Sequence, residues 1–271
     1  MSENYKNILI IKPSSLGDII MALPALATLR KSFPDAKISW LIRSEFAPLL
    51  ENHPHLTSII PFERKRLGKS LYSPSAMRAL KLFLQQLKRS EFDIVFDFQG
   101  LFRTAFFGWV TGCEKRFGMA NAREFAHLFY THKIDQNHEC IHLIDFYLKI
   151  IRAAGATHTG VEFVLPPALE ASDSVDKLLK SHGIERDNYA VFISGSAHVD
   201  KCWPVVRFAA LADKVSSQFG LPIVATGSAN ETDIIETLKS LAGVPIISLA
   251  GRTNLSELVA LLGGAILLVV S

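Results

Sequence analysis

The 271-residue sequence is poor in cysteine: Cys113, Cys140 and Cys202 are widely spaced and form no CxxC pair. That argues against a disulfide framework or a zinc site and fits a reducing, cytoplasmic setting; no metal is expected. Charge of one sign is also lacking. The 29 Lys and Arg against 26 Asp and Glu leave an excess too small to point to a nucleic-acid partner, which needs a clustered basic face. The most apolar run, Leu258 to Val270, is short and broken by Gly263-Gly264, so no transmembrane segment is expected, although contact with a membrane surface stays open. Residues 1–6 carry mixed charge and lead straight into a strand-like block, unlike a signal peptide. Glycine occurs in neither GxGxxG nor P-loop spacing, so neither nucleotide fingerprint is met.

What is present is periodicity. Short β-branched runs at Asn7–Lys12, Lys37–Ile42, Thr57–Pro61 and Asp93–Phe98 predict strands. Between them, Ile19–Phe33, Ser44–Asn52 and Ser75–Ser90 place apolar residues at three- and four-residue intervals, as helices do. A further helix is expected over about His138 to Ala154. Gly155 to Pro167 interrupts the pattern and reads as a linker. The alternation then restarts, with strands expected at Tyr189–Ser194, Pro222–Thr226, Pro245–Leu249 and Ala265–Val270. Helices are expected between them at Pro204–Phe219, Asn230–Leu241 and Asn254–Leu262. Near-continuous apolar strands separated by helices imply parallel sheets covered on both faces. The expected fold is therefore α/β, with two Rossmann-like domains, 1–157 and 158–271, and a ligand cleft between them. The sequence stops at Ser271 directly after a strand, where a covering helix is expected, so the second half reads as incomplete.

The first strand–helix junction, Lys12-Pro13-Ser14-Ser15-Leu16-Gly17-Asp18, is a small-residue loop opening a helix, a geometry suited to anions. Asp18 has two readings there, a general base or a first-turn acid that favours the helix N-terminus. The matching junction in the second half runs Ser194-Gly195-Ser196-Ala197-His198-Val199-Asp200-Lys201. Its hydroxyls can hold phosphate oxygens and Lys201 can offset charge on a phosphate leaving group, or the stretch is an ordinary polar loop. Gly227 and Glu231 follow the next strand, and Glu231 either accepts ribose hydroxyls or favours a helix start. The basic stretch from Arg64 through Arg66 to Lys69 is either a solvated face or a surface for anions, which arginine binds bidentately. His138 and His142 stand four apart on the expected helix, with no further ligands on that face, and read as polar groups of the helix.

Together, Ser14-Ser15-Leu16-Gly17-Asp18 with Ala22-Leu23-Pro24-Ala25, Asp97-Phe98-Gln99-Gly100-Leu101, and Asp200-Lys201-Cys202-Trp203-Pro204 resemble glycosyltransferase family 9. Gln99-Gly100-Leu101 and Ala122-Arg123-Glu124 look most like its heptosyltransferase I branch. The resemblance runs from about Asn7 to Ser271. It implies a GT-B fold that binds an acceptor through the N-terminal half and a nucleotide sugar through the C-terminal half. The implied donor is ADP-heptose and the implied acceptor Kdo-lipid A at the membrane surface. Asp18 then matches the catalytic base and Lys201 the phosphate-steadying lysine. Ser194, Gly195, Ser196, Gly227 and Glu231 fall to the donor, and Ser14, Ser15, Gly17, Arg64, Arg66, Gln99 and Arg123 to the acceptor. No metal or other cofactor is implied. The family pattern continues past Ser271 into a pyrophosphate-closing loop, which leaves donor binding by this stretch alone an open expectation. The alternatives are a family 9 transferase with another acceptor and a non-catalytic module that binds a nucleotide sugar or an anionic lipid.

Overall fold

Leu9, Ile10 and Ile11 are fully buried in the first strand, β1 (Asn7–Ile11), which therefore lies at the centre of a sheet. The computed structural model describes residues 4–68, 72–136, 142–158, 160–167, 169–195 and 202–271. The chain divides into two units, Met1–Pro167 and Ala168–Ser271.

In the first unit β1 is followed by α1 (Leu16–Ser32), β2 (Lys37–Arg43), β3 (Ser58–Phe62), the single turn α2 (Arg64–Leu67) and α3 (Pro74–Arg89). Then come β4 (Ile94–Asp97), α4 (Phe102–Val110), β5 (Arg116–Met119), β6 (His132–Ile134) and α5 (Leu143–Ala153). The six strands form one parallel sheet in the order β3-β2-β1-β4-β5-β6. The strand order reverses between β1 and β4. In an open parallel sheet the crevice beyond the carboxyl ends at such a reversal is where ligands bind.

The second unit holds α6 (Leu169–Lys180), β7 (Ala190–Ile193), α7 (Val205–Phe219), β8 (Ile223–Ala225), α8 (Thr232–Leu241), β9 (Ile246–Ser248), α9 (Leu255–Gly263) and β10 (Leu267–Val270). Its parallel order, β10-β7-β8-β9, reverses between β7 and β10. Alternate residues serve opposite faces. Ala190, Phe192, Ile223 and Ala225 pack with α7 and α8, whereas Tyr189, Val191 and Val224 pack with α6 and α9.

Several expectations change in detail. Ser44–Asn52 is a 3-10 turn over Ser44–Leu49 rather than a helix, with Pro48, which has no N–H to donate, inside it. The expected helix at His138 begins at Leu143. His142 caps it by accepting the Ile144 N–H through Nδ1 at 3.3 Å, and His138 lies outside the described residues. The glycine- and proline-bearing stretch Gly155–Pro167 runs back along the first unit. The Ser32 hydroxyl accepts the Thr157 and His158 N–H groups, and Glu162 pairs with Lys31.

The same stretch predicts a pH response. His53 is buried, its Nδ1 accepting the His55 N–H at 3.1 Å, which leaves Nε2–H to donate to the Val164 carbonyl at 2.9 Å. Both ring nitrogens are thus used by the neutral ring, and burial pushes the His53 pKa below its ordinary 6.5; His55 shifts the same way. The unfolded chain takes up the proton first, so stability is full above pH 6.5 and is lost as pH falls toward the depressed folded value. Denaturant midpoints recorded from neutral to mildly acidic pH are expected to fall less for His53→Gln than for the parent; equal slopes would count against this assignment.

Candidate functional site

At the reversal in the first sheet, β1 delivers Lys12 and the loop Pro13-Ser14-Ser15, and α1 opens behind them with Asp18 in its first turn. The Lys12 carbonyl accepts the Trp40 indole N–H at 3.1 Å, which fixes where the strand ends. The Lys12 side chain is almost wholly buried, and Nζ donates to Asp18 Oδ2 at 3.2 Å while lying 5.9 Å from the Tyr147 ring centre. Ser15 N–H donates to the same oxygen at 3.3 Å. Burial pushes the Lys12 pKa down, and the charges of Asp18 and Asp97 oppose that shift. Oδ2 closes the helix N-terminus and balances Lys12, which is the first-turn-acid reading of Asp18, while the side chain keeps 38% of its surface open.

From the neighbouring strand comes Asp97, buried and heavily bonded. Its Oδ2 accepts the Tyr130 hydroxyl at 2.7 Å, and Oδ1 accepts the N–H groups of Gln99 at 2.8 Å and Gly100 at 3.2 Å. Burial pushes the Asp97 pKa up, and these donors pull against it. Tyr130 is held in turn by Gly118, whose missing side chain leaves the space its ring fills; a Cβ there would overlap the ring. Gly100 has φ +67°, and a Cβ there would press on Met119 and Ala122, so glycine is needed at this bend. The bend aims the Gln99 Oε1 at Ser14 N–H, 3.4 Å away, and the Gly100 carbonyl accepts Arg123 N–H at 3.0 Å. Ser14, Ser15, Gln99 and Arg123 are in this way tied into one assembly.

A cavity of about 120 Å³ opens beside it, lined by Ser14, Arg43, Arg64, Gln99, Arg103 and Glu124, among others. Three guanidinium groups against one carboxylate suit an anionic ligand. Arg66, two residues from Arg64, lines a different groove beside α3 with Ser75 and Arg78, and reaches Glu63 at 3.6 Å. Gly17 lies in the first turn of α1, with nothing near the place its side chain would take.

In the second unit, Ser194 and Gly195 leave β7 at the strand-order reversal, and Gly227 follows β8. Both glycines make room for Glu231: a Cβ on Gly195 would overlap its carboxylate, and one on Gly227 would come within 3.0 Å of Oε2. Glu231 Oε2 accepts the Ser228 N–H at 2.6 Å and its hydroxyl at 2.7 Å, the helix-start reading of this residue. The hydroxyls of Ser194 and Thr226 are buried without a hydrogen-bond partner among the described residues. Lys201 and Ser196 lie outside the described residues.

The family model described as glycosyltransferase family 9 (heptosyltransferase) matches residues 80–271. The chain belongs to glycosyltransferase family 9. Lipopolysaccharide heptosyltransferase 1 of Pseudomonas aeruginosa is 27% identical over 262 residues, covering 91% of this chain and 69% of that protein. The lipopolysaccharide core heptosyltransferase OpsX of Haemophilus influenzae is 25% identical over 266 residues, covering 96% of this chain and 72% of the relative. Among solved structures, a family 9 glycosyl transferase from Veillonella parvula superposes with a TM-score of 0.86 at 24% identity, over 99% of this chain and 75% of its own. The E. coli heptosyltransferase WaaC with ADP gives 0.78 at 24% identity, over 97% and 80%. The family 9 chain is accordingly a transferase enzyme built from two Rossmann-like units of the GT-B class. Among the described residues, no helix is long and apolar enough to cross a membrane.

The sequence motifs contain Lys12 and Asp97 as well as Asp18 and Gln99, but they gave no role to Lys12, the buried partner of Asp18, or to Asp97, which sets the Gln99 loop. Of the cavity residues, Glu124 appeared only within a motif, and Arg43 and Arg103 were not singled out. A charged residue closing an otherwise apolar strand was the available signal for both Lys12 and Asp97.

Proposed function

We propose that this family 9 chain moves heptose from ADP-heptose to Kdo-lipid A in assembly of the lipopolysaccharide inner core, inverting the anomeric centre. The observation that carries the reading is the Asp18 carboxylate, part-open with one oxygen fixed by Lys12 and Ser15 N–H, on the loop whose Ser14 lines the arginine-bearing cavity. In this scheme Asp18 takes the proton from the acceptor hydroxyl as its oxygen bonds to the anomeric carbon. The bond from that carbon to the phosphate oxygen breaks, and ADP leaves with the electron pair. Arg64, Arg123 and Gln99, with Ser14, Ser15 and Gly17, hold the acceptor, and Arg66 meets its anionic groups from the adjoining groove. Arg43 and Arg103, which share the cavity with Arg64, add to the same charge.

Ser194, Gly195, Ser196, Gly227 and Glu231 hold the donor, and Lys201 offsets the charge on the departing phosphate. For Glu231 to accept ribose hydroxyls, its carboxylate must serve them beside the Ser228 bonds it already makes. Support for this donor comes from the WaaC structure with ADP. The first unit is thus assigned to the acceptor and the second to the donor, with the enzyme working at the cytoplasmic face of the inner membrane.

A second reading keeps the donor and changes the acceptor, because lipopolysaccharide heptosyltransferase 3 of E. coli is 22% identical over 264 residues. Offering ADP-heptose with either Kdo-lipid A or a core acceptor that already bears heptose separates the two. Product is expected only from Kdo-lipid A, and product only from the heptosylated core would transfer the assignment to the second reading.

A further inference from the structure

The first unit carries an exposed aromatic and cationic face of which the proposed chemistry uses only Arg103, at the edge shared with the cavity. On α4, Phe102, Phe106 and Trp109 recur at four and three residues and so share one stripe. Phe102 and Trp109 are about half exposed, and their rings meet Phe106 and Phe129 at 5.4–6.3 Å. Beside them, Met77, Leu80 and Leu84 of α3 form an apolar groove with Val110 of α4, with Lys81 and Lys88 on its rim. Leu128, 68% exposed, extends the apolar surface past Phe129. Neither helix contains an acidic residue, whereas α3 carries Arg78, Lys81, Lys88 and Arg89, and α4 carries Arg103.

We infer that this face docks the enzyme on an anionic phospholipid bilayer. Exposed Trp and Phe settle at the headgroup boundary, and lysines lie along apolar surface with their ammonium groups outward. An all-cationic pair of helices adds attraction to an anionic leaflet. The same uniformity argues against a second copy as the occupant, because a two-fold contact would set Lys81, Lys88 and Arg103 against their own copies. Arg103 and Leu101 border the arginine-lined cavity, so docking here brings that cavity to the lipid surface. The inference stands on the face alone and does not require the acceptor named above.

The test therefore uses vesicles without any glycolipid. The whole chain is floated with phosphatidylglycerol–phosphatidylethanolamine vesicles or with phosphatidylcholine alone, and Trp emission is quenched with brominated lipid. Binding to the anionic vesicles only is expected, and Lys81→Gln with Lys88→Gln should weaken it by about thirtyfold, the effect of two cations at such a surface. Quenching should persist in Trp203→Phe and vanish in Trp109→Phe, a substitution that keeps an aromatic ring and hence the packing. Undiminished binding by the lysine variant, or quenching retained in Trp109→Phe, would overturn the inference. So would a dimer in sedimentation that Trp109→Glu dissolves while vesicles go unbound.

Discussion

Asp18→Asn is expected to lower the transfer rate by about a thousandfold, the middle of the range that general bases contribute, with a smaller loss of thermal stability than Asp18→Ala. Asn keeps an oxygen for Lys12 Nζ and Ser15 N–H, so the loop and the helix start persist while the basic carboxylate is gone. Alanine is the poorer probe. It would strand the Lys12 ammonium, which is 3% exposed and has Asp18 as its ion-pair partner, and a buried charge deprived of its partner typically costs about 3–5 kcal/mol. Burial already pushes the Lys12 pKa down, so in Asp18→Ala the amine sheds its proton more readily, which softens the penalty. The two substitutions should therefore be alike in lost activity and differ in melting temperature. An Asp18→Asn enzyme of parental rate would remove Asp18 from the chemistry and leave it as a first-turn acid.

The second large effect is expected at Asp97. Asp97→Ala removes the acceptor for the Tyr130 hydroxyl and for the N–H groups of Gln99 and Gly100 in one step. Each buried donor left unpaired costs about 1–3 kcal/mol, so a loss of at least about 3 kcal/mol is expected in denaturant unfolding. Activity should fall with it, because the Gln99–Ser14 and Gly100–Arg123 links hang from the same bend. Asp97→Asn should lose less, since its carbonyl still accepts the backbone N–H groups. The sign with pH is opposite to that of His53. The folded-state pKa of Asp97 is raised from 3.8, so the unfolded chain ionises first and stability is lost as pH rises from that value through the raised one. Asp97→Asn removes this slope. A stability change for Asp97→Ala below about 1 kcal/mol, less than one unpaired buried donor, would mean the bend is held by other contacts.

The alternation of strand and helix was legible where each element was long and uniform. β1, α1, β2, α3 and α7 fall near their expected ranges because apolar residues repeat there at the strand or helix period. The stretch from α4 through β6 was not legible. Phe102–Val110 is apolar around much of its circumference, β5 is four residues including a glycine, and β6 is His132-Lys133-Ile134 at the sheet edge. Residues 169–180, with three acids and two lysines among few apolar positions, likewise hid α6, whose buried side is Val175 and Leu179. The site divides in the same way. Motif residues such as Asp18, Gln99 and Glu231 stand out in the chain, whereas Lys12 and Asp97 stand out through burial, which only the folded sheet supplies. Arg64 and Arg66 looked equivalent by position, yet the single turn of α2 sends them to different grooves.

The proposed reaction passes heptose from ADP-heptose to Kdo-lipid A with Asp18 as the base. Mass spectrometry of the acceptor after incubation with both substrates tests it most directly. The expected result is an acceptor heavier by one heptose residue, ADP released in equal amount, and neither product with Asp18→Asn over the same period. An unmodified acceptor, or ADP release without glycolipid product, would contradict it.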